Sequence, residues 1–251
     1  MAFLSQLRER HLQPEWMDRP DLDARQHQDA LRGLERLNRW SGSAHILWRP
    51  LARLAAETPD RPCRILDIAT GGGDVPRGLW RRACRAGISL ALEGCDISPV
   101  AIAHAQQRCA EQAAEVRFFQ TDVLRDPLPS GYDAVISSLF LHHLTQQQAI
   151  DLLRRMAAAG RLVLVNDLAR SRRGFLLAWF ATRILSRSKV VHFDGPRSVE
   201  GAFTPDEARR LAEAAGLAGV TVERRWPCRF LLSWRRPPSS DPLPHPMGER
   251  V

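Results

Sequence analysis

The sequence predicts an α/β fold of the doubly wound type: a mostly parallel, seven-stranded sheet with an antiparallel hairpin at its C-terminal end and a helical cap at its N-terminus. Three observations predict it. Between residues 63 and 165, short apolar runs alternate with segments of helical periodicity. The first run ends in Asp67 and a glycine-rich turn, Ala69-Thr70-Gly71-Gly72-Gly73, that leads into a helix. Two closing runs, 220–226 and 230–234, are joined by only Pro227, Cys228 and Arg229, which reads as a hairpin.

Residues 1–60 contain no good strand and form the cap. Within 23–39, Leu31, Leu34 and Leu37 fall at helical spacing. Trp40, Ser41 and Gly42 break that helix, and Ser43 is read as the cap of a second one carrying Leu47, Trp48, Leu51 and Leu54. Pro59 to Pro62 ends it. The sheet domain is expected over 61–236. Its first strand is 63–68, followed by a helix over 74–86 with Gly87 as its stop. The second strand is 88–95, and the next helix opens at Ser98 with Pro99 in its first turn. Strands follow at 115–120 and 133–138. Thr145 and Gln148 form a capping box for a helix that stops at Gly160. A fifth strand is 161–165. Residues 168–203 interrupt the rhythm as an insert on the substrate side, with an apolar helix over 175–185. Thr204 and Glu207 cap the last helix, which ends near Gly216. The tail, 237–251, holds five prolines and is expected to be disordered.

Right-handed crossovers place every parallel strand's C-terminal end on one edge of the sheet, where ligands bind. Acids end three of the runs: Asp67, Asp96 and Asp122, spaced 29 and 26 residues apart, each interval long enough for one helix and one strand. Gly71 and Gly73 allow close approach of the backbone and positive φ. The pattern GxGxxG is absent, and Asp67 beside the loop would repel a pyrophosphate, which argues against an NAD-linked oxidoreductase. A carboxylate after strand two can accept both hydroxyls of a ribose; because Ser98 caps the following helix, Asp96 is assigned to the ribose, with Ile97 beside it. Asp122 can accept from the exocyclic amine of adenine, with Val123 against the ring.

The order Asp67-x-Ala69-x-Gly71-x-Gly73-Asp74, then Asp96, Asp122 and Asp133 to Ile136, resembles a class I S-adenosylmethionine-dependent methyltransferase. Ala69 in place of the first glycine, followed by Gly73-Asp74, is similar to the ubiquinone/menaquinone C-methyltransferase group, as is Leu37-Asn38-Arg39. The similarity spans about residues 30–235. It implies a Rossmann-like sheet and S-adenosyl-L-methionine as cofactor. It also implies that Asp67, Ala69, Thr70, Gly71 and Gly73 surround the methionine part, that Ser138 lies under the sulfonium, and that Asn38 or Arg39 meets the cofactor carboxylate.

Candidate bases are His143, on the ligand edge beside His142, and His192 with Asp194 in the insert, where a carboxylate could orient the imidazole. Asn166 and Asp167 end strand five behind them. The apolar run 175–185 is read as a lid for a small aromatic, quinol-like or lipid-like acceptor, with peripheral membrane contact through Arg187 and Lys189. Net charge is +8, and Lys189 is the only lysine. Scattered arginines without an aromatic-interleaved basic face argue against nucleic acid as partner. A base methyltransferase is further disfavoured because Ser137-Ser138-Leu139-Phe140 stands where an Asn/Asp-Pro-Pro-aromatic run is expected. A non-catalytic cofactor-binding module is the remaining alternative. Five cysteines without a CxxC pair predict reduced thiols, a cytoplasmic protein and no metal.

Overall fold

A computed structural model describes residues 6–17, 19 and 21–237. Seven strands form one sheet: β1 (Cys63–Ile68), β2 (Leu90–Asp96), β3 (Val116–Gln120), β4 (Tyr132–Ser138), β5 (Gly160–Leu168), β6 (Thr221–Arg225) and β7 (Arg229–Arg235). Their order is β3-β2-β1-β4-β5-β7-β6, with β7 antiparallel to β5 and β6. The five parallel strands and the terminal hairpin thus match the expected sheet. The order reverses between β1 and β4, so the crevice at their C-terminal ends is the switch point of the sheet.

Successive residues of the central strands serve opposite cores, as the two-residue repeat requires. Ile65, Ile136 and Leu164 join Leu47, Leu51 and Leu79 from α2 (Ser43–Ala56) and α3 (Asp74–Ala86). Leu66, Val135 and Val163 join Leu152, Leu153 and Met156 of α5 (Gln146–Ala159) on the other face, with Leu211 of α8 (Pro205–Ala214). The capping boxes at Thr145 and Thr204 both form, and Gly87 ends α3 in the left-handed conformation. α4 (Pro99–Ala110) starts at Ser98, whose hydroxyl accepts from the Ala101 amide.

Two local expectations are corrected. Ser43 does not cap α2. Gly42, at φ 71°, precedes the helix, and Ser43 lies in its first turn with its hydroxyl turned to Arg229. The stretch around His192, for which the sequence predicts no regular element, is a helix, α7 (Lys189–Gly201), despite Gly195 and Pro196. It packs against α6 (Arg172–Leu185) and α1 (Ala24–Trp40). Val190 and Val191 supply its buried stripe, against Ala30, Leu34 and Leu37 of α1. Tertiary contact therefore holds a helix that its glycine and proline disfavour. The expected tail from 237 falls almost entirely outside the described residues.

The cap is fastened to the sheet domain by buried arginines. Arg77 of α3 is fully buried; its Nε donates to the Gly73 carbonyl and its Nη2 to Glu35 of α1 at 2.9 Å. Arg229 at the start of β7 donates to Ser41 and Ser43, both at 2.6 Å. Before α1, the backbone amides of Trp16 and Met17 donate to the Asp194 carboxylate at 2.8 and 3.0 Å, which lays the N-terminal segment across α7.

Candidate active site

A cavity of about 840 Å³ opens over the C-terminal ends of β1, β2 and β4, roofed by α1, α6 and α7. That is near the top of the ~300–1,000 Å³ range of small-molecule sites. Of the sequence-predicted cofactor residues, Asn38, Asp67, Ala69, Thr70, Gly71, Asp96, Ile97, Asp122, Val123 and Ser138 line it. Gly73 and Arg39 are not on its wall.

The turn after β1 explains itself residue by residue. Ala69 and Gly71 both have positive φ, 51° and 54°. Nothing lies within 4 Å of the position a Gly71 side chain would take, so this backbone is open to a ligand. Gly73 too has positive φ, 68°, and a Cβ there would in addition stand 2.8 Å from the Phe118 ring and 2.9 Å from Ala105. Its work is packing, which the motif alone does not distinguish from ligand contact.

Asp67 is buried at the end of the central strand. Its Oδ2 accepts from the Thr70 hydroxyl at 2.6 Å, and its Oδ1 has no hydrogen-bond partner. Burial, reinforced by Asp74 and Asp96 against the Thr70 hydrogen bond, pushes its carboxyl up to about 8. Such a group is matched by a cation brought from outside. Asp96 is braced more fully than expected: Oδ2 accepts from the Gly71 amide at 2.8 Å and Oδ1 from the Ser98 amide at 2.9 Å. It therefore fixes the turn and starts α4 as well as facing the cavity. Asp122 likewise accepts from the Leu124 amide at 2.9 Å.

At the far end, Asn166 donates to the Ser138 hydroxyl at 2.9 Å. Asp167 Oδ1 lies 2.6 Å from His142 Nδ1. Burial opposes ionisation of Asp167, yet the neighbouring His142 holds its carboxyl below the usual range. His142 and His143 both line the cavity, as does Glu15 from the N-terminal segment.

The structure separates the proposed bases. His143 is on the cavity wall, whereas His192 and Asp194 are not. His192 Nε2 lies 2.8 Å from the Ser186 carbonyl, and the buried Asp194 is engaged by the Trp16 and Met17 amides. That imidazole is thus braced between the end of α6 and α7, with its ring nitrogen on a carbonyl. Sequence reasoning missed Arg229, which lines the cavity with Asn38 and Ser41. Burial pushes it down to about 10. An arginine one residue from a hairpin turn gives no such signal; only the pairing of β7 with β5 brings it under the cap.

The fold and this crevice define a class I nucleoside-cofactor enzyme, and comparison with known proteins narrows the class. Residues 65–161 match a methyltransferase domain. A demethylmenaquinone methyltransferase of Thermus thermophilus is 33% identical over 191 residues, covering 71% of this chain and 84% of the relative. A ubiquinone biosynthesis O-methyltransferase of Alkalilimnicola ehrlichii is 30% identical over 157 residues, covering 61% of this chain and 60% of the relative. The magnesium protoporphyrin IX methyltransferase of Synechocystis, solved with S-adenosylhomocysteine bound, shares the fold with a TM-score of 0.54 at 16% identity, over 94% of this chain and 95% of that one. The chain belongs to the class I S-adenosylmethionine-dependent methyltransferases, and S-adenosylmethionine is its cofactor. The unpartnered Asp67 oxygen and the open Gly71 backbone fit that molecule.

The raised Asp67 carboxyl carries a stability signature. Its contribution is fully present below the unfolded value of ~4 and is lost as pH rises through about 8, because the buried charge is disfavoured in the folded state. Asp67→Asn is therefore expected to flatten the fall in ligand-free stability between those limits. Relative to the wild type, the variant should be more stable at pH 8 than at pH 5. Chemical denaturation across pH checks both.

Proposed function

We propose that this methyltransferase moves the methyl group to carbon or oxygen of a small aromatic, quinol-like or lipid-like acceptor. The observation that carries the reading is the apolar wall opposite the cofactor crevice. Leu31, Leu34 and Leu37 of α1 and Leu177, Ala178 and Ala181 of α6 line the same cavity of about 840 Å³ as the strand-end acids. The names of the two relatives, one for demethylmenaquinone and one for ubiquinone biosynthesis, support the same acceptor class.

In this reading Asp67, Ala69, Thr70 and Gly71 hold the methionine part, with the Asp67 carboxylate meeting the ammonium. Asn38 and Arg229, rather than Arg39, meet the carboxylate. Asp96 and Ile97 take the ribose, Asp122 and Val123 the adenine, and Ser138 lies beneath the sulfur. When bound, S-adenosylmethionine supplies an electrophilic methyl group. The chain's own part is to align the acceptor with it and to exclude water, which α1 and α6 do as a roof. His143 is the cavity-lining candidate for orienting the acceptor's reacting group. The outer face of α6, where Phe180 and Ile184 are 55% and 78% exposed, adjoins Arg183, Arg187 and Lys189. An apolar strip edged by cations supports collection of a greasy acceptor at an anionic lipid surface.

Incubation with S-adenosylmethionine and reduced, hydroxylated naphthalene or benzene acceptors, with and without an apolar tail, is expected to give a singly methylated product by mass spectrometry. Methylation of RNA oligonucleotides with none of these acceptors modified would overturn the acceptor class. His143→Ala should lower kcat by at least about tenfold with cofactor affinity unchanged, while His192→Ala stays within about twofold of the wild type. For the cofactor itself, Arg229→Met is expected to weaken binding by ~1.5–3 kcal/mol, the worth of a charged hydrogen bond, and Arg39→Ala to leave it unaltered in calorimetry.

A further inference from the structure

We infer that Glu15, His142 and His143 form a binding site for one divalent transition-metal ion of the zinc class at the acceptor end of the cavity. The three side chains offer one ligand atom each, all within 4.8 Å of one another, the one such group of three or more among the described residues. His142 Nε2 lies 3.9 Å from Glu15 Oε1, and His143 Nε2 lies 3.9 Å from Glu15 Oε2. A charge-assisted hydrogen bond would close to ~2.7–2.9 Å. Two ligands ~2.0–2.1 Å from one tetrahedral ion stand roughly 3.4 Å apart, so small side-chain adjustments suffice to enclose a cation.

The surroundings are those of a prepared ligand set. The Asp167 carboxylate accepts from His142 Nδ1 at 2.6 Å, which puts the proton on Nδ1 and leaves the Nε2 lone pair on the side of Glu15. A carboxylate behind a ligating imidazole is the usual outer partner of a metal-bound histidine, fixing its tautomer and raising its basicity. Asp167 is itself held by the His142 and Leu168 amides. Glu15 is 8% exposed, and its Oε1 accepts from the Ser198 hydroxyl at 2.6 Å. The next two amides of its segment are tied to Asp194. Two carboxylates thus flank two imidazoles. The neighbouring cation, Arg10, spends its guanidinium on the carbonyls of His142, Leu144 and Gly201 and on the Phe203 ring. Two imidazoles and one carboxylate favour zinc and its neighbours over calcium or magnesium, and three protein ligands leave a position free. All three residues line the cavity, where a free position could take an acceptor oxygen. This use of the ion rests on the proposed acceptor class; the binding site does not.

The test is metal binding, read without turnover. Chelator-treated protein is titrated with Co2+, then Zn2+. One Co2+ per chain is expected, with ligand-field absorption, no thiolate charge-transfer band, and displacement by Zn2+. Glu15→Gln and His143→Gln should each weaken binding at least about tenfold, and Asp167→Asn by about 10–100-fold. S-adenosylhomocysteine binding reports that each variant is folded. Crystals of the wild type soaked in Zn2+ should show an anomalous peak within bonding distance of all three side chains. No stoichiometric binding, a thiolate band, unchanged affinity in Glu15→Gln and His143→Gln, or a peak elsewhere would each overturn the site. None of these readouts depends on methyl transfer, so failure here leaves the acceptor reading standing, and failure of every acceptor leaves the metal site standing.

Discussion

A carboxylate buried without enough partners organises this molecule. Asp67 ends the strand at the centre of the sheet, where β2 and β4 flank β1 and water is excluded. Its charge is disfavoured there by burial, at the point where the cofactor's ammonium is proposed to dock. The turn that follows is shaped around the same spot. Ala69 and Gly71 turn the chain at positive φ, Thr70 caps one carboxylate oxygen, and Asp96 reaches across from β2 to hold the Gly71 amide. In the proposed reading, stability given up at this carboxyl is recovered on binding, the usual relation between a preorganised site and its fold.

The cap and the insert turn that edge of the sheet into an enclosed space. α1 supplies three leucines to the roof and is anchored from below by Arg77 through Glu35 and by Arg229 through Asn38 and Ser41. α7 anchors the N-terminal segment through Asp194 and thereby sets Glu15 beside the two histidines. In the proposed reading, the cofactor end and the acceptor end draw on largely different parts of the chain. The first comes from the ends of the parallel strands, joined by Asn38 of α1 and Arg229 of β7. The second comes from elements outside the region matched to the methyltransferase domain, which runs from 65 to 161, together with the histidine turn after β4.

The sheet and most helix ends were legible in the residues. Strand positions followed from apolar runs whose flanks carry strong local signals: Gly87 as a stop, Ser98-Pro99 as a start, and the capping boxes at Thr145 and Thr204. These are short-range effects, settled within one turn of chain. α7 was not legible, because Gly195 and Pro196 argue locally against a helix that packing on α1 and α6, through Val190, Val191 and other buried residues, sustains. The pairing of His192 with Asp194 suggested by proximity in sequence also failed to form. On a helix those two residues diverge, and each found a partner in another element.

By itself, the sequence determined the order of strands and helices, the acids at three strand ends and the turn that holds them near a common edge. Each of these depends on neighbours a few residues away. Tertiary structure decided what long-range packing alone can decide. It brought Arg229 from the terminal hairpin under the cap and took Gly73 and Arg39 off the cavity wall. It also carried Glu15 across more than a hundred residues of chain to His142 and His143. No periodicity or spacing encodes such meetings, because they arise when buried surfaces from distant segments exclude the same water.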